Sequence, residues 1–433
     1  MHIATILLLL TLSAGTNYYP KPAAGQPIVI GETFSSGSAP RTENTLVAVP
    51  EPSPKAMEYY HSGNVLWIVS QMIALAIPSL MLFTGLSVRM GILARRIGRR
   101  WFFMVLVYFV FYGLLEYTLQ LPLTYYAGYV RQHAYGLSNQ TFQKWLGDSL
   151  KELVVGLIFG GLLLWLPYLL IHRSPRRWWF YTALLSLPVV FFVMLVEPIW
   201  VAPLFNRFGP MKDKALESQI LALAQEAGIE DGRVFEVDKS VDTNAVNAYV
   251  TGFLSTKRIV LWDTLLAKLD AREVRVVMAH EMGHYVLHHV VLGILAGFGG
   301  ILVGLYLVYR LSAVLIQRYK RRFGFDRLSD VTSLPLILLL VQAISLALMP
   351  VGLAFSRHLE HEADRFALEM THDNHAAATA FVRLQRENLS NPNPGMLFML
   401  WRASHPSLGQ RIEFANDYRP WEHGNSLISL SSL

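Results

Sequence analysis

The stretch His280-Glu281-Met282-Gly283-His284 carries the residue types and spacing most able to do chemistry. On a helix, positions i and i+4 share a face. Two imidazoles so placed can hold one Zn²⁺, and the Glu between them can serve as general base toward a water at that metal. The flanking residues Val277, Met278, Ala279, Tyr285, Val286 and Leu287 contain no helix breaker. Gly283, inside the motif, is the one weak point. The pattern fixes only three residues, so a chance match on a surface helix is the bland alternative. The chain has no cysteine. That excludes a disulfide framework, Cys-ligated zinc and a Cys nucleophile, and leaves His, Glu and Asp as the strong zinc donors.

A catalytic zinc site takes three protein ligands and keeps one position open. The third ligand is expected in Ser356-Arg357-His358-Leu359-Glu360-His361-Glu362-Ala363-Asp364. Spacing alone does not choose among Glu360, His361 and Glu362. Glu360 is favoured because Asp364 lies on its face at i+4 and suits the hydrogen bond that a ligand imidazole donates from its second nitrogen. A charged helix end is otherwise ordinarily solvated. His288 continues the face of His280 and His284 and reads as a polar neighbour. His289, His358 and His361 read as surface or chamber-wall groups. His405, before Pro406, is by itself a structural residue.

The elements that must position these groups are those of a membrane protein. Of 433 residues, 53% are hydrophobic and 16% charged, against about 25% charged in a soluble domain. Six runs, near 64–90, 102–128, 152–171, 179–202, 290–309 and 334–355, reach the roughly 20 apolar residues that a bilayer crossing requires. A shorter run at 3–12 reads as a signal peptide or a retained first helix, and retention gives seven spans. Residues 16–60, rich in Pro, Gly, Ser and Thr, read as an exposed segment. Arg95, Arg96, Arg99 and Arg100, then Arg173, Arg176 and Arg177, then Arg310, Arg318, Lys320, Arg321, Arg322 and Arg327 mark alternate connections. By the positive-inside rule these loops are cytoplasmic, and the zinc motif and the C-terminal region face the extracytoplasmic side. The net charge of +6 therefore speaks of topology, and no nucleic acid is expected as partner. Glu116 and Glu197 lie within apolar runs, where carboxylates usually face a bundle interior or a wet cavity.

A soluble insert precedes the motif. Residues 214–227 carry helical periodicity; 234–237 and 248–253 read as strands, the latter pairing with 258–261. Residues 265–269 and 273–290 read as helical. A strand edge beside a metal-binding helix can hold an extended peptide over the metal. The expected organisation is a hydrophobic segment at 1–15, the exposed segment at 16–60, membrane helices at 61–207, a soluble metalloprotease part at 208–289, two membrane helices at 290–357 and a C-terminal catalytic part at 358–433.

Together the residues resemble a family, the integral-membrane CAAX prenyl proteases of type I, which are gluzincin zinc metalloproteases. The resemblance covers roughly 105–415. It rests on Leu121-Pro122 with Tyr125-Tyr126, Gly136-Leu137-Ser138-Asn139-Gln140-Thr141, Pro203-Leu204-Phe205-Asn206, Asn247-Ala248-Tyr249 and Lys257-Arg258-Ile259-Val260-Leu261. It continues through the zinc motif, Glu360-x-x-Ala363-Asp364 and His405-Pro406-x-Leu408-x-x-Arg411. The resemblance implies zinc ligands His280, His284 and Glu360, with Glu281 as base and Asp364 supporting a ligand. It implies a substrate-binding strand at Asn247, Ala248 and Tyr249, with His405 facing the reaction centre and Arg411 behind it. The implied fold is a mainly α, polytopic ring of about seven membrane helices around a water-filled chamber, capped by a small α+β metalloprotease domain. The expected function is that of a membrane endopeptidase with one Zn²⁺ per chain. Its expected partners are the lipid bilayer and a peptide or protein substrate, lipidated substrates included. A heat-shock-type quality-control protease shares the zinc motif. A membrane scaffold or transporter is the rival of another class, disfavoured by a complete zinc triad and the lack of repeated spans.

Overall fold

A backbone inside lipid must satisfy its own hydrogen bonds, so apolar runs of this length fold as helices. The computed structural model describes residues 46–229, 233–251 and 258–423. Within it six helices are long and apolar enough to cross a membrane, matching the six runs read from the sequence. The 3–12 segment lies outside the described residues.

The chain enters as extended backbone and turns into α1 (Pro54–Phe83), capped by Ser53 Oγ on the Ala56 amide with Pro at the helix start. The first apolar run is not one element. At Gly85 the backbone takes φ 72°, a left-handed value that glycine adopts without a Cβ clash, and α2 (Leu86–Gly98) follows as a separate helix. Then come α3 (Trp101–Tyr125), continued by a π-turn at Tyr126–Val130, α4 (Phe142–Arg173) and α5 (Trp178–Val196), which runs into a second π-turn at Glu197–Val201. Glu116 is buried and accepts a hydrogen bond from Gln120 Nε2 at 2.8 Å, whereas Glu197 is exposed and opens the π-turn at the span's end.

The soluble part is built around a four-stranded sheet. Strand β1 (Phe208–Pro210), which the sequence reading missed, precedes α6 (Lys214–Glu226), β2 (Arg233–Val237), β3 (Ala248–Thr251) and β4 (Arg258–Trp262). The order is β1-β2-β4-β3. The β2–β4 pairing is parallel, with Val234 opposite Ile259; β3 runs antiparallel to β4, with Ala248 opposite Leu261. Strand β3 therefore ends the sheet among the described residues. Arg258 Nη1 donates to the Pro198 carbonyl at 3.2 Å and ties the sheet to the end of α5. The Ser138–Gln140 loop braces the approach to β3, with the Asn139 amide donating to the Asp242 carbonyl at 3.2 Å.

The zinc-motif helix, α7 (Ala271–Val286), starts at a capping box between Asp270 and Glu273. It does not reach Val290 as periodicity predicts. His288 adopts φ 56° and ψ 29°, and α8 (His289–Phe323) starts anew at the next residue. His288 thus leaves the face of His280 and His284 and is exposed. Helix α9 (Leu334–Thr371) has 38 residues, about 57 Å at 1.5 Å per residue, far beyond a hydrocarbon core of about 30 Å. Its first half packs Leu336, Leu340 and Ile344 into a membrane core. Its last turns pack Ala363, Phe366 and Ala367 into the core of the soluble part. Helices α10 (Asn374–Glu387) and α11 (Leu408–Asp417) complete that core with Ala380, Phe381 and Ile412.

Residues 46–53, within the segment read as exposed, are exposed or half-buried and are tied to the soluble part. Val47 exchanges two hydrogen bonds with the Asn416 side chain at 3.0 and 2.8 Å, and Gln385 Nε2 donates to the Pro50 carbonyl. Where α7 crosses α9, Gly283 is the spacer. A Cβ there would lie 3.1–3.2 Å from the Phe366 side chain. Gly283→Val should lower the apo-protein melting temperature, since overpacking of this kind costs about 1–3 kcal/mol. Combined with Phe366→Ala, the two losses should be less than additive, because the missing ring leaves room for the added methyls. Equal melting of Gly283→Val and the parent would show that the crossing tolerates the added bulk.

Candidate metal centre

Helices α7 and α9 bring His280, His284 and Glu360 together, with one potential ligand atom from each lying within 4.8 Å of the others. The Nε2 atoms of His280 and His284 are 3.3 Å apart. Glu360 Oε2 is 3.2 Å from His280 Nε2, and Oε1 is 3.7 Å from His284 Nε2. Ligand atoms about 2.0–2.1 Å from a tetrahedral Zn²⁺ stand roughly 3.3–3.5 Å apart, so these separations fit the edges of such a site. Glu360 Oε2 is also buried without a well-aligned hydrogen bond, although ring nitrogens lie 3.0 and 3.2 Å away. A carboxylate and two imidazoles converging on one point, with an oxygen unsatisfied, is the donor set of a divalent cation.

The surroundings hold that set in place. His280 Nδ1 lies 2.8 Å from Asp364 Oδ1. Asp364 is gripped from α11 by Arg411 in a two-pronged pair, with Nε to Oδ2 at 2.8 Å and Nη2 to Oδ1 at 2.6 Å. The Arg411 guanidinium lies over the Phe381 ring, 4.2 Å from its centroid. Burial works against the Arg411 charge, but Asp364 more than offsets it and holds its pKa above the usual value. Burial likewise opposes a charged His280, yet the Asp364 and Glu360 carboxylates override it and push its pKa up to about 10. The same converging carboxylates favour positive charge at this point.

Glu281 sits between the two imidazoles in sequence. Burial pushes its carboxyl above the usual range, and His280 and His284 pull it back. His405 approaches from the loop before α11, with Nε2 3.0 Å from Glu360 Oε2 and Ser404 Oγ 2.9 Å from Nδ1. A His before Pro does not by itself announce this placement in sequence. Strand β3 packs against α7. Along its entry, Asn247 is exposed and hydrogen-bonds through Oδ1 to the Ala248 amide, Ala248 is buried, and Tyr249 is half-buried. Burial, and then Glu197 beside it, raise the Tyr249 hydroxyl above its ordinary pKa, so it keeps its proton. His361 and Glu362, the rivals of Glu360, point elsewhere: His361 stacks near Phe414, and Glu362 pairs with Arg365 at 2.6 Å. His289, read as a surface or chamber-wall group, is instead buried, with Nδ1 3.0 Å from His284 Nδ1. No ligand spacing signals it, because the helix break at His288 creates the contact.

A model described as Peptidase family M48 matches residues 210–419, and one described as CAAX prenyl protease N-terminal, five membrane helices, matches 50–207. The chain is 40% identical over 315 residues to a Bacillus subtilis protein named uncharacterized metalloprotease YhfN, covering 72% of this chain and 74% of that one. The chain belongs to peptidase family M48. Within M48 it is also 32% identical over 311 residues to a CAAX prenyl protease 1 homolog of Arabidopsis thaliana, covering 67% and 68% of the two chains. It is 29% identical over 329 residues to CAAX prenyl protease 1 of Saccharomyces cerevisiae, covering 71% of each. The crystal structure of S. mikatae Ste24p superposes with a TM-score of 0.73 at 25% identity, covering 84% of this chain and 88% of that one. This M48 protein is a CAAX prenyl protease-like membrane metalloprotease, as its motifs predict. Family M48 is zinc-dependent in general.

The Arg411–Asp364 pair is almost fully buried. Breaking such a pair by removing one partner costs about 3–5 kcal/mol, whereas removing both is far milder. Arg411→Leu should therefore depress the melting temperature more than Arg411→Leu combined with Asp364→Asn, measured on metal-free protein. A double variant at least as unstable as the single one would contradict the assigned charge balance.

Proposed function

We propose that this chain is a zinc endopeptidase that cleaves extended segments of peptide or membrane-associated protein substrates at a site clamped between α7 and α9. The observation that carries the reading is the convergence of His280, His284 and Glu360 from two helices, with Glu281 on the same helix as the two imidazoles. One Zn²⁺ per chain, held by those three residues, would supply Lewis acidity that lowers the pKa of water toward about 7 and polarises a carbonyl.

The protein's own residues do the rest. Asp364, fixed by Arg411, holds His280 at Nδ1 and leaves its Nε2 facing Glu360. Glu281 accepts the proton of the attacking water at its carboxylate and delivers it to the leaving amine, and its raised affinity for protons suits both halves of that transfer. His405 Nε2, beside Glu360, turns to donate a hydrogen bond to the carbonyl oxygen as negative charge develops there. Strand β3 offers the outer edge of the sheet, so a substrate pairs as one more strand along Asn247, Ala248 and Tyr249. Relatives named CAAX prenyl protease make a lipidated substrate one class to test. Glu116 and the polar ends of the spans support an interior accessible to water between the helices.

The same reading gives the site a side. Helix α8 begins at His289, beside the metal centre, and carries Lys320, Arg321 and Arg322 in its last turn. Its 35 residues, about 52 Å, separate the two. Arg95, in the last turn of α2, pairs with Asp330 at 2.7 Å, which groups two Arg-rich connections at one end. By the positive-inside rule that end is cytoplasmic and the catalytic part extracytoplasmic.

Glu281→Gln should leave the fold and about one zinc per chain intact while lowering kcat by at least about 10²-fold. His284→Ala should lose the metal as well. Peptide cleavage by Glu281→Gln at the parent rate would remove Glu281 as base. Because the chain has no cysteine, single cysteines report sidedness directly. In intact cells, a membrane-impermeant thiol reagent should label Ser218→Cys and spare Asp326→Cys; the reverse pattern would invert the topology.

A further inference from the structure

The two imidazoles of the motif are backed by different partners. His280 rests on a carboxylate, while His284 rests on another imidazole. His284 Nδ1 lies 3.0 Å from His289 Nδ1, and the rings meet nearly edge-on, with centroids 5.1 Å apart at 68°. Of two ring nitrogens at this distance one must donate and the other accept. His284 Nε2 already faces His280 Nε2 and Glu360 Oε1. An imidazole that ligates through Nε2 keeps its proton on Nδ1, and the partner of that proton fixes the ring.

We infer that His289 is a positioning residue for the metal site, accepting the Nδ1–H of His284 at its own Nδ1 and so holding His284 in the tautomer and orientation that present Nε2 to Zn²⁺. The inference rests on the zinc reading given above.

The backbone gives independent support. In an unbroken helix, a residue five positions on sits about 140° around the axis and faces away. His289 reaches back to His284 only because His288 takes φ 56°, a conformation that non-glycine residues seldom adopt. The first residue of a membrane helix is thereby buried against the metal centre, at 6% exposure. A histidine kept merely to pack would not need its ring nitrogen turned onto a ligand nitrogen.

The test uses the full-length chain in detergent, with His289→Ala, His289→Asn and His289→Phe. Zinc affinity is measured by chelator competition, and ligand geometry by the visible absorption of the Co²⁺-substituted protein. Loss of such a supporting partner weakens metal binding about 10–100-fold, and that is the expected loss for Ala and for Phe, with an altered Co²⁺ spectrum. Asn should keep near-parental affinity and spectrum, because its Oδ1 replaces Nδ1 as acceptor. The metal-free proteins carrying Asn and Phe should melt together. Parental zinc affinity in all three variants, or an Asn variant as weak as Phe, would overturn the inference. So would a metal-free Phe protein that melts well below Asn, because the role would then be packing. If the parent chain itself held no zinc, the failure would lie in the zinc reading and be visible before any substitution.

Discussion

Helix α9 is one continuous rod in two environments, and the rest of the molecule is arranged around that fact. Its N-terminal half is packed by apolar side chains among other membrane helices. Its C-terminal turns are packed by Ala363, Phe366 and Ala367 in the core of the soluble part. Glu360 and Asp364 stand one turn apart near that exit, close enough to the soluble core for their charges to be neutralised by side chains from other elements. The site lies where the rod leaves one core and enters the other, and Gly283 lets α7 come close enough to meet it.

Neutralisation then fixes the order of the parts. Asp364 holds the His280 imidazole only because Arg411 holds Asp364, and Arg411 is held over Phe381. This chain of contacts runs from α10 and α11 through α9 to α7, so the C-terminal helices act on the candidate metal centre without touching it. The segment at 46–50 reaches the same helices through Asn416 and Gln385. Residues more than 350 positions apart in sequence are thus joined by hydrogen bonds in one packed unit.

Much of this was legible in the residues. The six runs became six long helices because hydrocarbon permits little else, and His280 with His284 needed only the i, i+4 rule. Glu360 was preferred over His361 and Glu362 through Asp364 on its face, and it is the Glu360 carboxylate that stands beside the two imidazoles. What stayed hidden has a common cause. Strand β1 is three residues long and is defined by its partner. The break at His288 follows no breaker residue, so periodicity carried the helix through to 290. His289 and residues 46–53 acquire their contacts from tertiary geometry, which no local pattern encodes.

Strand β3, at the end of its sheet, carries a last consequence. A sheet edge engages backbone amides and carbonyls, which every polypeptide has, so pairing there discriminates little by side chain. What it demands is a stretch of chain with its own hydrogen bonds unmade. Folded domains fail that demand, and tails, loops and damaged segments meet it. Selection at such an edge is a measurement of local disorder, and sequence preference would have to come from the pockets beside it.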